Sequence, residues 1–234
     1  MLETKELCSG YGKVQIVNNV NIDIKKGEIV ALIGRNGVGK STFVKTVIGL
    51  LPANSGKIIF RDGEDITRMS ANKRARSGLA YVPQGHGIFP DLTVEENLTV
   101  GTLINSSRKK EADYARIYDY FPRLAERRKQ VAGTMSGGEQ AMLSIGRGLI
   151  NLPEILLLDE PSEGVQPNIV EQMGDIVLRV SEDFHLTVLL VEQHMGLIQQ
   201  CSERAYVMDK GTIVTELDNK GVNDDTVISQ YLSV

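Results

Sequence analysis

The run Gly34-Arg35-Asn36-Gly37-Val38-Gly39-Lys40-Ser41 constrains this chain more than any other feature. It follows the apolar stretch Ile29–Ile33 and leads into the helical pattern Ser41–Leu50. The run fits G-x-x-x-x-G-K-[ST], and a strand before it and a helix after it are the context in which that pattern is specific. Glycines let the backbone curl until successive N–H groups point at one anion. The helix behind adds about half an elementary charge at its N-terminus. Such a loop needs a buried strand to deliver it and a helix packed on the sheet, so an α/β fold is expected. Lys40 is then expected to reach the β- and γ-phosphates of a nucleoside triphosphate, with the Ser41 hydroxyl on Mg²⁺. The expected phosphate-contacting set runs from Gly34 through Thr42.

A second element supplies acids. Ile155-Leu156-Leu157-Leu158-Asp159-Glu160 is an apolar strand ending in two carboxylates. In an open α/β sheet the carboxyl ends of strands face the ligand crevice, which brings both acids beside the phosphates. Asp159 is expected to hold the hydration shell of the metal, and Glu160 to act as general base on the attacking water. Kinases, G proteins and ATPases share these parts, so the class needs another feature.

Short apolar segments alternate with helical patterns, as in a largely parallel sheet covered by helices. Strands are expected at Lys57–Phe60, Leu79–Val82, Thr187–Val191 and Ala205–Met208, and a helix at Pro167–Val180. Pro52-Ala53-Asn54-Ser55-Gly56 reads as a turn and Asp62-Gly63 as a hairpin-like one. Between Gly85 and about Ile150 helical patterns dominate, with Arg108-Lys109-Lys110 and Arg127-Arg128-Lys129 on expected solvated faces. The chain is therefore read as one domain: a core of 1–84 and 151–234, with a helical subdomain at 85–150. The tail ends in a short amphipathic stretch, Val227–Leu232. With 234 residues the chain can bury a sizeable core. A formal net charge of -4 lacks the basic footprint of a nucleic-acid partner. No apolar run approaches the roughly 18–20 residues needed to span a bilayer. Met1–Gly10 lacks a signal-peptide pattern, and Cys8 and Cys201 alone imply no disulfide framework, so a cytosolic protein is expected. His86 and His185 show no ligand spacing and are expected at the surface.

Met135-Ser136-Gly137-Gly138-Glu139-Gln140 opens another helix, expected at Glu139–Ile150. It is a second anion-binding helix start, with a hydroxyl and bare N–H groups but no Lys. A chain with one cradle has no evident internal use for it. The segment resembles the signature of ABC transporter ATPases, usually L-S-G-G-[QE], with Met135 in the Leu position. That resemblance implies a P-loop NTPase with a RecA-like, mostly parallel sheet core, an antiparallel β subdomain and a helical signature subdomain. It also implies that Ser136, Gly137, Gly138 and Glu139 complete the ATP site of a partner subunit, so two ATPs lie buried across a homodimer or heterodimer. Tyr11 matches the aromatic residue that stacks on adenine, a contact suited to any base face. Gln84 matches the glutamine that senses Mg²⁺ and water and links the core to the helical subdomain. The stretch from Pro161 to Pro167 occupies the position of the loop that crosses to the partner. The family's V-E-H switch is replaced by Val191-Glu192-Gln193-His194, which puts Gln193 in the switch register and His194 one step later. Successive residues of an extended segment point to opposite sides. Either Gln193 contacts the γ-phosphate through its amide, or the loop shifts to present His194.

Several stretches are similar to the importer branch for branched-chain amino acids, urea and short amides. They are the cradle itself, Tyr81–Gly85, Ile88–Leu98 and Val191–Gln193. Met135–Gln140 and Ser144–Arg147 look like the branched-chain amino-acid type, whereas Glu163–Pro167 looks like the urea and amide type. Ala141 and Gly148 depart from the residues expected after the signature. The resemblance implies integral-membrane permease subunits, with the chain on the cytoplasmic face of the inner membrane and a periplasmic binding protein acting indirectly. Alternatives are the ATPase of an exporter, such as one for lipopolysaccharide, or a soluble ABC ATPase of translation or repair. A P-loop kinase or GTPase would leave the Ser136–Gln140 helix start without a purpose.

Overall fold

A computed structural model describes residues 1–105 and 113–232; the basic run Arg108-Lys109-Lys110 lies outside them. The strands are β1 (Leu2–Tyr11), β2 (Val14–Ile24), β3 (Ile29–Ile33), β4 (Ala53–Phe60), β5 (Glu64–Asp65), β6 (Leu79–Val82), β7 (Ile155–Asp159), β8 (Thr187–Val191), β9 (Arg204–Asp209) and β10 (Thr212–Leu217). The helices are α1 (Lys40–Val47), α2 (Ala71–Ser77), α3 (Val94–Thr102), α4 (Tyr114–Tyr120), α5 (Pro122–Glu126), α6 (Gly137–Leu149), α7 (Pro167–Phe184), α8 (Met195–Cys201), α9 (Asn219–Val222) and α10 (Asp225–Leu232).

Six strands form the main sheet in the order β10-β9-β3-β8-β7-β6. All neighbours from β9 to β6 pair in parallel, and β10 closes the edge antiparallel. Strands β3, β7 and β8 are buried at every position, which a parallel sheet covered on both faces requires. Side chains alternate along each of them. Leu157, Leu189 and Val191 pack with Phe43, Val44 and Val47 of α1 and with the second sheet. Leu156, Leu158, Val188 and Leu190 pack instead with α6 and α7. Each such buried side chain contributes about 1.5–3 kcal/mol relative to leaving it exposed.

The second sheet is antiparallel, in the order β2-β1-β4-β5. It covers α1 from the other side, so the helix behind the cradle lies between two sheets. The C-terminal carbonyls of α1 are tied down by Arg74, whose guanidinium donates to Thr46 O at 2.8 Å and Val47 O at 2.6 Å. Burial holds the Arg74 pKa below its ordinary value.

Several expectations need correction. Ala53–Gly56 is not a turn but the start of β4, with Ala53 opposite Ser9 and Ser55 opposite Cys8. Gly56 sits at a register shift with φ of 84°, where a Cβ would collide with the Glu6 carbonyl. A bulge and a turn ask for the same residue types, and composition does not separate them. Arg127 is not simply solvated, because its Nε pairs with Glu139 Oε1 at 2.9 Å. His86 is half-buried rather than at the surface, and burial lowers its pKa; His185 is exposed and ends α7. The two unexplained departures acquire a setting. Ala141 is buried in the core against α6's neighbours, and a Cβ on Gly148 would stand 3.2 Å from Val82 Cγ2.

Candidate functional site

The carboxyl ends of four adjacent strands, β3, β8, β7 and β6, deliver the loops that carry Gly34, Gln193, Glu160 and Gln84, and Asp159 is the last residue of β7 itself. A cavity of about 360 Å³ opens there, lined by residues that include Tyr11, Asn36, Lys40, Ser41, Gln84 and Glu160. Gly37, Gly39 and Thr42 belong to the same wall. Gly34 leaves β3 at φ of 145°, and a Cβ there would strike the Met208 carbonyl, so only glycine fits. Gly39 enters α1 at φ of 112°. Tyr11 is half exposed at the mouth. Val38 packs inward against the core and the Arg35 side chain is exposed.

Lys40 is 4% exposed and folds back over its own loop. Its Nζ donates to Gly34 O at 2.7 Å and Arg35 O at 3.0 Å, and stands 3.2 Å from Glu160 Oε1. Glu160 Oε1 also accepts from Gln193 Nε2 at 2.8 Å, and Oε2 from Gln84 Nε2 at 3.2 Å. Gln193 Nε2 donates in addition to Asn36 Oδ1 at 2.7 Å. Glu160 adopts φ of 49°, a left-handed conformation that costs about 1–2 kcal/mol in a residue with a Cβ. Its backbone N–H donates to Val191 O at 2.8 Å, which holds it in place.

Asp159 is fully buried, with Ser41 Oγ donating to Oδ1 at 3.0 Å and the Tyr81 phenol to Oδ2 at 3.0 Å. Burial raises its pKa above the usual carboxylate range, against the pull of those two bonds. A hydroxyl and one carboxylate are hard oxygen donors, too few for a cage. Among the described residues no cluster of three or more His, Cys, Asp or Glu could hold a metal. Mg²⁺ suits such a pair, since it keeps several waters and takes substrate oxygens for the rest.

Other expected residues lie elsewhere. His194 is not brought into this cluster: it is exposed, and its Nδ1 accepts from Leu197 N at 3.2 Å as the N-cap of α8. Ser136, Gly137, Gly138 and Glu139 start α6 and do not line the cavity. Gly137 approaches Gly164 of the following loop instead. Two contributors were not anticipated. Tyr81 reaches Asp159 as above. Glu192 is 2% exposed and accepts three backbone N–H groups, from Ser162 at 2.9 Å, Gln193 at 2.8 Å and His194 at 3.0 Å. It thereby fixes the loops after Glu160 and after β8 to each other. Its signal was available, because Glu192 ends an apolar strand as Asp159 does.

Residues 17–163 match the family model described as ABC transporter. A branched-chain amino acid transport ATP-binding protein, BraG of Pseudomonas aeruginosa, is 43% identical over 92% of this chain and 91% of its own. The probable counterpart LivF of Archaeoglobus fulgidus is 39% identical over 91% and 90%. A nucleotide-free ATP-binding cassette from an ABC transporter has the same fold, with a TM-score of 0.85, 26% identity, and coverage of 100% of this chain and 99% of that one. A phosphate cradle, a strand-end acid pair and a second capped helix start, matched over nine-tenths of such relatives, mean that the chain belongs to the ATP-binding subunits of ABC transporters.

Proposed function

We propose that this chain is the ATP-hydrolysing subunit of an importer for branched-chain amino acids, acting as a dimer against membrane permeases. The observation that carries the catalytic part is that Lys40, Ser41 and Glu160 line one cavity beside the N-terminus of α1, with Asp159 bonded to Ser41 and Gln193 to Glu160. The solute follows the similarity to BraG and LivF.

In this reading the β- and γ-phosphates of ATP sit on the N–H groups of the Gly34–Ser41 loop, and Tyr11 stacks on adenine. Lys40 exchanges the Gly34 and Arg35 carbonyls for phosphate oxygens. Ser41, and Asp159 through the hydration shell, would hold Mg²⁺, which would supply charge neutralisation on the transferred phosphoryl group. Glu160 accepts a proton from water as the water oxygen bonds to γ-phosphorus and the bond to the β–γ bridging oxygen breaks. Gln193 and Gln84 each offer an amide N–H beside that carboxylate and orient the water and phosphate. Ser136–Glu139 serve the cavity of a partner subunit, since they do not line their own. None of the described helices is long and apolar enough to cross a membrane. An apolar groove of about 350 Å³ along the edge strand β6 suits a permease segment. Leu50, Phe89 and Ile104 stand exposed around it.

The test is uptake by the chain reconstituted with its permeases and binding protein in proteoliposomes. ATP on the side of this subunit should drive labelled leucine inward, and Glu160→Gln should stop it while ATP still binds. Transport of urea in place of leucine would overturn the solute class. Normal hydrolysis by Glu160→Gln would remove Glu160 as the base.

A further inference from the structure

Asp159 has no exposed surface, and its two carboxylate oxygens have different partners. Ser41, on Oδ1, belongs to the cradle. Tyr81, on Oδ2, belongs to neither motif and comes from the edge strand β6. The register explains how it arrives. Tyr81 lies opposite Leu157, so Asp159 is the next residue of β7 on the same face, one pleat repeat of about 6.6 Å farther along. A phenol is long enough to span that step, and facing a carboxylate its O–H must donate. The bond fixes the plane of the carboxylate and leaves Oδ1 turned to Ser41. Tyr81 is also among the residues that line the apolar groove at the edge of the sheet.

We propose that Tyr81 is a positioning residue for Asp159, setting the affinity of the site for Mg²⁺ through its hydroxyl. The inference rests on the reading of Asp159 as the residue that holds the metal shell. Partners that orient a metal-binding carboxylate typically carry 10–100-fold in metal affinity, and the lower end applies to a single neutral hydroxyl, about tenfold. Tyr81→Phe removes that one oxygen and keeps the ring packed on the core.

The experiment uses the purified full-length chain, a fluorescent ATP analogue and MgCl₂. The analogue is first titrated with a chelator present, and Mg²⁺ is then titrated at fixed analogue, for wild type, Tyr81→Phe and Asp159→Asn. The expected result is unchanged affinity for the analogue in chelator and a half-saturating Mg²⁺ concentration raised about tenfold in Tyr81→Phe. If Tyr81→Phe titrates as wild type while Asp159→Asn does not, the role of Tyr81 is overturned and the metal reading of Asp159 stands. If both titrate as wild type, the metal reading itself falls. If Tyr81→Phe loses the analogue even in chelator, with a lowered melting temperature, Tyr81 supports the fold alone and the proposal is overturned.

Discussion

The chain contains two helix starts built for anions, and they differ in what already occupies them. At α1 the N-cap is Gly39, which has no side chain to offer, and the loop before it curls around the Lys40 ammonium. At α6 the N-cap is Ser136, which accepts from Glu139 N at 3.4 Å, while Glu139 Oε2 accepts from Ser136 N at 3.0 Å. Ser136 Oγ is also 2.9 Å from that carboxylate oxygen, and Arg127 holds the other oxygen of Glu139. The first start presents donors outward with a cation beside them. The second satisfies Ser136 N with the Glu139 carboxylate and Glu139 N with the Ser136 hydroxyl, a capping box closed by an ion pair. In the proposed reading a start of the first kind takes the nucleotide of its own chain, and one of the second kind meets a phosphate brought by a partner in competition with Glu139.

The largest effect is expected where the two starts must meet. Glu160→Gln should lower hydrolysis by about 10²–10⁴-fold, the usual worth of a general base. With ATP unspent, the cavity of one chain should stay joined to the α6 start of another, seen as an ATP-dependent dimer on size-exclusion chromatography. A variant that hydrolyses slowly yet remains monomeric with ATP would break the comparison, because α6 would then serve no second site.

Lys40→Ala comes next. It removes two or more charge-assisted hydrogen bonds to phosphate, each worth about 1.5–3 kcal/mol, so affinity of the isolated chain for ATP should fall about 100-fold or more. Equilibrium binding of a labelled nucleotide measures it. A loss below threefold would mean that the loop amides and the dipole of α1 carry the phosphates unaided.

How much of this the sequence disclosed depends on the range of the information. The cradle and the Asp159-Glu160 pair are local: glycine spacing, apolar runs and acids at a strand end are written in consecutive residues. Tyr81 and Glu192 are not local. The reach of Tyr81 depends on its register against Leu157, and the Glu192 clamp depends on Ser162, thirty positions away. Glu192 is marked in the sequence as an acid ending an apolar strand, but its partner Ser162 is not, and nothing local marks the reach of Tyr81. Gly56 reads in the sequence as the end of a turn and not as a bulge, since only the pairing of β4 with β1 tells the two apart. Gln193 and His194 were left open because one residue of loop geometry decides between them, and His is an uncommon N-cap.

That pair gives the next smaller effect. Gln193→Ala removes the amide at 2.8 Å from Glu160, and steady-state hydrolysis should slow about tenfold, the equivalent of about 1.4 kcal/mol. His194→Ala removes a cap away from the cavity and should change the rate less than about twofold. The reverse ranking would show that the loop shifts to present His194 when the dimer closes.

Ser136→Ala is the smallest effect and tests the second helix start directly. The substitution deletes the acceptor for Glu139 N and leaves the Glu139 carboxylate on the N-cap N–H and on Arg127. Half of the capping box goes, which costs about 1 kcal/mol, and a domain of this length should melt about 2–4 °C lower. ATP affinity of the isolated chain should not change, because Ser136 lies outside its own cavity. Ser136→Thr restores the acceptor and should recover the melting temperature. A drop in lone-chain ATP affinity comparable to that of Lys40→Ala would unite the two starts in one site and end the distinction. A normal melting temperature would show that Glu139 and Arg127 alone close the helix, leaving the Ser136 hydroxyl free to serve the phosphate of another chain.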